Sequence, residues 1–186
     1  MTGIARDAAA TSSMVELALA GDTMAFARIV AAYHADLVRV AFVVSGGSQD
    51  LADDAVQSAW SIAWRRLGSL RDPARLKPWL VSVAANEARR LCRRQRSWPV
   101  APADVVEIDP RSGVVVAPDP AERAPALDLE AALTHLSPDE RALLAMRYEA
   151  GLDSSEIGKL AGRPAATIRW RLARLRDRLR KELSDG

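Results

Sequence analysis

Apolar residues recur at helical spacing through most of this chain, and a run of prolines cuts the pattern in two. Val15, Leu17, Leu19, Phe26, Ile29, Val30, Tyr33, Leu37, Val40, Ala41 and Val44 follow one another at the three- and four-residue steps that put side chains on one face of a helix. Ser45-Gly46-Gly47-Ser48 interrupts the pattern. A second helix follows, with Ala52, Val56, Ala59, Trp60, Ala63, Trp64 and Leu67 on one side. Gly68 to Pro73 reads as a loop. Trp79, Leu80, Val83, Ala84, Ala88 and Leu91 then mark a third long helix, with Trp79 anchoring the core beside Leu80 and Val83. Residues 1–13 are small and polar and are expected to form a frayed tail.

Six of the ten prolines fall between Ser97 and Pro125, where no period is sustained. That stretch is expected to be a flexible Pro-rich linker. Beyond it the helical pattern resumes. Ser137-Pro138-Asp139-Glu140 carries a capping serine, proline at the first helical position and glutamate in capping-box register. Asp153 and Glu156 repeat the device ahead of a short helix from Ser154 to Leu160. Ala161-Gly162-Arg163 makes a turn, and Pro164 opens a last helix with Ile168, Leu172, Leu175 and Leu179 facing inward. The expected fold is all-α: a three- or four-helix bundle over 14–96, a linker over 97–125 and a helix-turn-helix domain over 126–183.

Charge narrows the function. The formal net charge is only +2, but it is segregated. From Arg163 to Lys181 there are eight basic residues and one acidic, Asp177; from Arg89 to Arg96 there are five arginines and no acid. Two separate basic blocks suit a polyanion binder. The single Cys92 excludes an internal disulfide and a multi-cysteine zinc site, and is read as a buried inert thiol. His34 and His135 lie far apart, and Asp53 and Asp54, as neighbours on a helix, point about 100° apart and make no paired-acid site. No glycine-rich phosphate loop is present, so neither an enzyme, a metal site nor a bound cofactor is expected. With no apolar segment long enough to span a bilayer and no leader-like start, the expected location is the cytoplasm.

Two helices joined by a tight turn, the second strongly basic, describe a helix-turn-helix. Packing the last helix through Ile168, Leu172 and Leu175 leaves Arg163, Thr167, Arg169, Trp170, Arg171 and Arg174 on or near the face offered to a major groove. Arginine can pair bidentately with guanine, and threonine or further arginines can hold phosphates. Trp170 is open to two readings, packing or groove contact.

The segment Leu136-Ser137-Pro138, Arg147-Tyr148-Glu149, Glu156-Ile157-Gly158 and Thr167-Ile168-Arg169-Trp170-Arg171-Leu172 with Arg174 resembles the C-terminal domain, region 4, of extracytoplasmic-function sigma factors. That resemblance implies recognition of the −35 promoter element. Ala161, Ala166 and Trp170 stand where the family usually has Gly, Gly and a small polar residue. The base preference therefore does not carry over.

In the N-terminal half, Asp50-Leu51-Ala52-Asp53-Asp54-Ala55-Val56-Gln57 with Trp60 and Trp64 is similar to the family's region 2.2. By that likeness Asp53, Asp54, Val56, Gln57 and Trp60 dock on the clamp helices of the largest polymerase subunit. The acids also suit a helix's first turn, whatever they bind. Pro78-Trp79-Leu80 through Asn86-Glu87-Ala88-Arg89-Arg90 and Arg93-Arg94 resembles regions 2.3–2.4. This places Asn86, Arg89, Arg90 and Arg93 near the −10 element, and the loop Gly68–Leu76 where a flipped non-template base is captured. The implied partners are core RNA polymerase, through its clamp helices and flap, promoter DNA and an anti-sigma factor. Two other readings stay open: a dimeric helix-turn-helix regulator, and an adaptor that mimics a sigma factor to titrate an anti-sigma protein.

Overall fold

A computed structural model describes residues 2–97 and 135–184. Among them the chain is all-helical: α1 (Thr2–Leu19), α2 (Thr23–Val44), α3 (Gln49–Arg66), two short 3₁₀ turns (Leu67–Ser69 and Pro73–Arg75), α4 (Leu76–Ser97), α5 (Pro138–Tyr148), α6 (Ser154–Ala161) and α7 (Ala165–Ser184). The linker expected over 97–125 lies, from residue 98 on, outside the described residues, as do residues 126–134 of the expected C-terminal domain.

Two local features depart from the sequence reading. The tail expected over 1–13 is helical from Thr2, continuous with α1. Its Ala8-Ala9-Ala10 run has high intrinsic helix propensity, which needs no apolar face to act. The single pattern from Val15 to Val44 is also broken. Gly21 takes φ +93°, and the Asp22 carboxylate accepts from the Met24 and Ala25 amides at 2.8 and 3.1 Å, opening a new helix. Val15 and Ala18 face the core, while Leu17 and Leu19 remain exposed.

The N-terminal core is built from Ile29, Leu37, Val40 and Val44 of α2, Ala52, Val56, Ala59 and Ala63 of α3, and Leu76, Leu80, Val81, Ala84 and Ala88 of α4. The alanines of α3 let α2 and α4 approach it closely, so a small domain is packed with few large side chains. Trp79 packs against this core from its edge.

In the C-terminal part the Ser137 hydroxyl accepts from the Glu140 amide while Glu140 accepts from the Ser137 amide; Asp153 and Glu156 do the same at α6. Leu136, Leu144, Leu152, Ile157, Ile168, Leu172 and Leu175 form the core around which α5, α6 and α7 pack.

The sequence reading separates the two halves by a linker, yet here they form one continuous apolar cluster. The α5 helix lies against α2 and α4, and α6 against α4. Periodicity reports which face of a helix is apolar, and is silent on which distant helix covers it.

Candidate nucleic-acid and polymerase interfaces

The turn between α6 and α7 is set by Gly158 and Gly162. Gly162 ends α6 in the left-handed region at φ +61°. Gly158 is buried, and a Cβ there would lie 2.6 Å from the Arg163 carbonyl oxygen. Only a residue without a side chain lets the chain turn this closely. With Ile168, Leu172 and Leu175 buried as expected, Arg163, Arg169, Trp170, Arg171 and Arg174 are exposed and Thr167 is half-buried. Arg163, Arg169 and Arg171 have no acidic partner among the described residues. Trp170 is 60% exposed, with the Arg174 guanidinium 5.5 Å from its ring. It is therefore not a core residue of its own domain. A cation stacked on an exposed indole makes a flat, positively charged platform.

The capping carboxylates beneath this helix pair are held ionised. Hydrogen bonds from the Glu156 and Ser155 amides pull Asp153 below its ordinary pKa, with Lys159 and Arg147 adding to the effect. At Glu140, desolvation pushes the pKa upward but is outweighed by hydrogen bonds from the Ser137 amide and hydroxyl and by Arg178 and Arg174, so the net shift is down.

The α4 helix presents its basic residues differently. Asn86, Arg90 and Arg93 are exposed and Arg89 is half-buried. Arg89 is hydrogen-bonded to Asn86 and reaches the other half of the molecule, where Nη1 lies 2.8 Å from Oδ1 of Asp139 on α5. Arg90 pairs with Glu87 one turn back, at 2.8 Å. The loop Gly68–Leu76 holds the two 3₁₀ turns, the second capped by Asp72, which accepts from the Ala74 amide at 3.1 Å.

On α3, Asp53, Asp54 and Gln57 are exposed. The helix starts at Gln49, so its first turn contains Asp50, while Asp53 and Asp54 lie beyond it. Helix-dipole stabilisation, which fades within a turn, accounts for Asp50 alone. Asp53 accepts from the Gln49 side chain at 2.8 Å.

Val56 corrects the sequence reading. It is 1% exposed and faces α2 and α4, so it is core and unavailable to a partner. The apolar surface beside the acids comes from Trp60 and Trp64 instead. Trp60 donates through Nε1 to His34 Nδ1 at 3.2 Å and meets Phe26 edge-on at 6.0 Å. Trp64 is 46% exposed and stacks edge-on with the same ring at 4.9 Å. The sequence reading left Trp64 out of the docking residues and did not connect His34 with Trp60. The four-residue step from Trp60 to Trp64 signals one face for both.

Cys92 is buried, its Sγ 3.8 Å from the Val44 carbonyl oxygen. No described helix is long and apolar enough to cross a membrane.

Comparison with known proteins matches both halves in turn. The model of Sigma-70 region 2 fits residues 29–97, and that of Sigma-70, region 4 fits residues 126–179. The probable RNA polymerase sigma factor RfaY of Xanthomonas campestris is 32% identical over 172 residues; the match takes in 89% of this chain and 42% of RfaY. This chain thus spans less than half the length of that relative. The ECF RNA polymerase sigma factor SigM of Mycobacterium tuberculosis is 32% identical over 165 residues, covering 89% of this chain and 80% of SigM. Among solved structures, the sigma factor RpoE in complex with the anti-sigma factor NepR from Bartonella quintana superposes with a TM-score of 0.66 at 27% identity. That match covers 86% of this chain and 96% of the RpoE chain.

Proposed function

This chain belongs to the extracytoplasmic-function sigma factors of the sigma-70 family, and from that premise we propose how its surfaces divide the work of promoter-specific transcription initiation. Members of this family direct RNA polymerase to promoters and are specificity subunits rather than enzymes. The acids Asp53 and Asp54, with Gln57, Trp60 and Trp64, are the face for the clamp helices of core polymerase: charges that steer the encounter around an aromatic anchor. Asn86, Arg89, Arg90 and Arg93 hold the −10 region. Unstacking a base there costs a few kcal/mol, which contacts to the extruded base and its backbone must offset. Arg163, Arg169 and Arg171 read or clamp the −35 duplex, with Thr167, Trp170 and Arg174 at the edge of that contact. The cytoplasm, where polymerase works, is its place of action, and an anti-sigma protein is its regulator, in line with the similarly folded RpoE, which is seen in complex with the anti-sigma factor NepR.

The observation that carries this division is the order of three surfaces on one chain. An acid-and-tryptophan face, a basic helix and a helix-turn-helix with outward arginines follow one another in sequence. Neither DNA-reading helix is expected to bind tightly alone; linkage through polymerase supplies the avidity. Run-off transcription with core polymerase on genomic promoters tests it. Promoter-specific transcripts that require the protein are the expected result. Their absence with folded protein overturns the reading, and stable operator binding as a dimer without polymerase points to a conventional regulator instead.

A further inference from the structure

The contact between the two halves is organised around one buried cation. Arg141 on α5 is 5% exposed, and it leaves its own domain to reach the end of α2. There its Nε donates to the Val44 carbonyl oxygen at 2.8 Å, while Nη1 donates to Leu136 at 2.9 Å. The last carbonyls of a helix lack partners within it. At α2, those of Ala41, Phe42 and Val43 take the amides of Ser45, Gly47 and Gly46. Val44 takes its donor from Arg141, across 97 residues of sequence. Gly46, at φ +71°, leaves room for the guanidinium: a Cβ there would stand 3.2 Å from Arg141 Cζ. Around this plug Arg89 pairs with Asp139, and Arg39 approaches Glu149 at 3.8 Å. The cleft beside it, about 430 Å³, is lined from one side by Asn86 and Arg89 and from the other by Arg163 and Arg171.

We propose that the chain has a self-closed form locked by Arg141 in the C-terminus of α2, and that this form withholds the α4 surface from DNA until the lock is drawn. Two observations support it. A buried arginine that serves a helix-end carbonyl of another domain gives the docking one defined geometry rather than a sliding apolar contact. Both sides of the cleft carry residues assigned to DNA, so nucleic acid and closure compete for Arg89. The occlusion rests on the assignment of α4 and α7 to DNA; the lock does not.

Two variants of the full chain, one on each side of the contact, test it: Arg141→Met removes the donor, and Gly46→Ala crowds the guanidinium. Circular dichroism establishes that helix content is kept. Cys92, also at the Val44 carbonyl, reports opening through its rate of maleimide modification, and small-angle scattering reports the radius of gyration. Both variants are expected to expand and to react on the order of tenfold faster: Arg141→Met loses one buried charge-assisted hydrogen bond, and Gly46→Ala, strained at φ +71°, pushes the guanidinium off it. A fluorescent single-stranded oligonucleotide of mixed sequence, at low salt, is expected to bind them about tenfold more tightly, now that closure no longer competes. Wild-type compactness and thiol protection in whichever variant keeps its helix content overturn the lock. So does a wild-type chain that is already extended with a fast-reacting Cys92. Opening with unchanged oligonucleotide affinity overturns the occlusion. A sigma-factor reading that fails shows separately, as a wild-type chain inactive in run-off transcription.

Discussion

The two basic helices carry similar charge, but the arginines assigned to DNA on each are held differently. On α4, Arg89 is engaged by Asn86 and by Asp139 of the other domain, and Arg90 by Glu87. On and just before α7, Arg163, Arg169 and Arg171 are exposed with no acidic partner among the described residues, Arg163 and Arg171 on the cleft wall opposite Asn86 and Arg89. On the proposed assignment, Arg169 is free to meet a duplex as it stands, whereas Arg163 and Arg171 share a cleft with α4, and Arg89 and Arg90 would exchange internal partners for DNA. Duplex readout needs only donors presented to a groove. On the proposed reading, strand opening is the step for which holding the α4 surface back until polymerase is bound would matter, since premature single-strand binding would be unproductive.

The largest expected effect comes from removing the outward arginines. Arg169→Ala with Arg171→Ala is expected to abolish promoter-specific run-off, since an arginine that pairs with a base is worth about 1–3 kcal/mol and two are removed together. Core-polymerase binding through α3 should be retained, as measured by pull-down. Retained transcription would mean that α7 is not the reading helix. An adaptor that titrates an anti-sigma protein would survive the same change.

Next comes the turn that aims α7. Gly158→Ala drives a methyl group against the Arg163 carbonyl, 2.6 Å away, where backbone must move. Overpacking of this kind costs about 1–3 kcal/mol. The expected result is a C-terminal domain that unfolds at lower denaturant and a matching fall in −35-dependent transcription. The equivalent burden falls nowhere on α4, whose position is set by apolar packing, so −10-dependent contacts should be spared.

These two predictions differ in how much of their basis could be read from the sequence. The outward arginines follow from periodicity: once Ile168, Leu172 and Leu175 are assigned inward, the rest of α7 is fixed by helical geometry. The capping boxes at Ser137 and Asp153 are equally local, and they appear where the sequence places them. Val56 shows where local reasoning stops. A residue in a partner-binding stretch looks available until the rotation of α3 in the bundle is known, and that rotation buries it. Arg141 is further out of reach. Its partner lies on another helix across 97 residues, and nothing in the pattern around it marks it as other than a solvated cation. Gly158 carries no local warning either, because its constraint comes from a carbonyl beyond the turn.

A smaller effect tests the internal pairing of α4. Asp139→Asn removes the carboxylate from Arg89 while keeping shape. Asp139 is mostly exposed, so the change in stability should stay below about 1 kcal/mol. Oligonucleotide binding at low salt should nonetheless improve modestly, because Arg89 no longer has an anionic competitor. If affinity falls instead, Asp139 orders Arg89 for DNA, and the contrast between the helices is one of arrangement and not of engagement.

The smallest effect is a pH dependence confined to the C-terminal caps. Glu140 and Asp153 have pKa values below their ordinary 4.5 and 3.8, so their ionised forms are favoured by folding. A carboxylate with a depressed folded pKa stabilises fully above its unfolded value, and that contribution is lost as pH falls through the folded one. Between neutral pH and about 5 the caps of α5 and α6 should therefore be insensitive to acid. Below the ordinary values they should weaken, with α4 and its arginines unaffected at first. Asp153 is exposed and Glu140 half-buried at the surface, so solvent screening keeps the effect small. Amide exchange in α5 and α6, followed residue by residue on lowering the pH, is the measurement, and Glu140→Gln should flatten the response at α5 while leaving α6 as before. An equal acid response in α4 would show that the sensitivity is not confined to the caps.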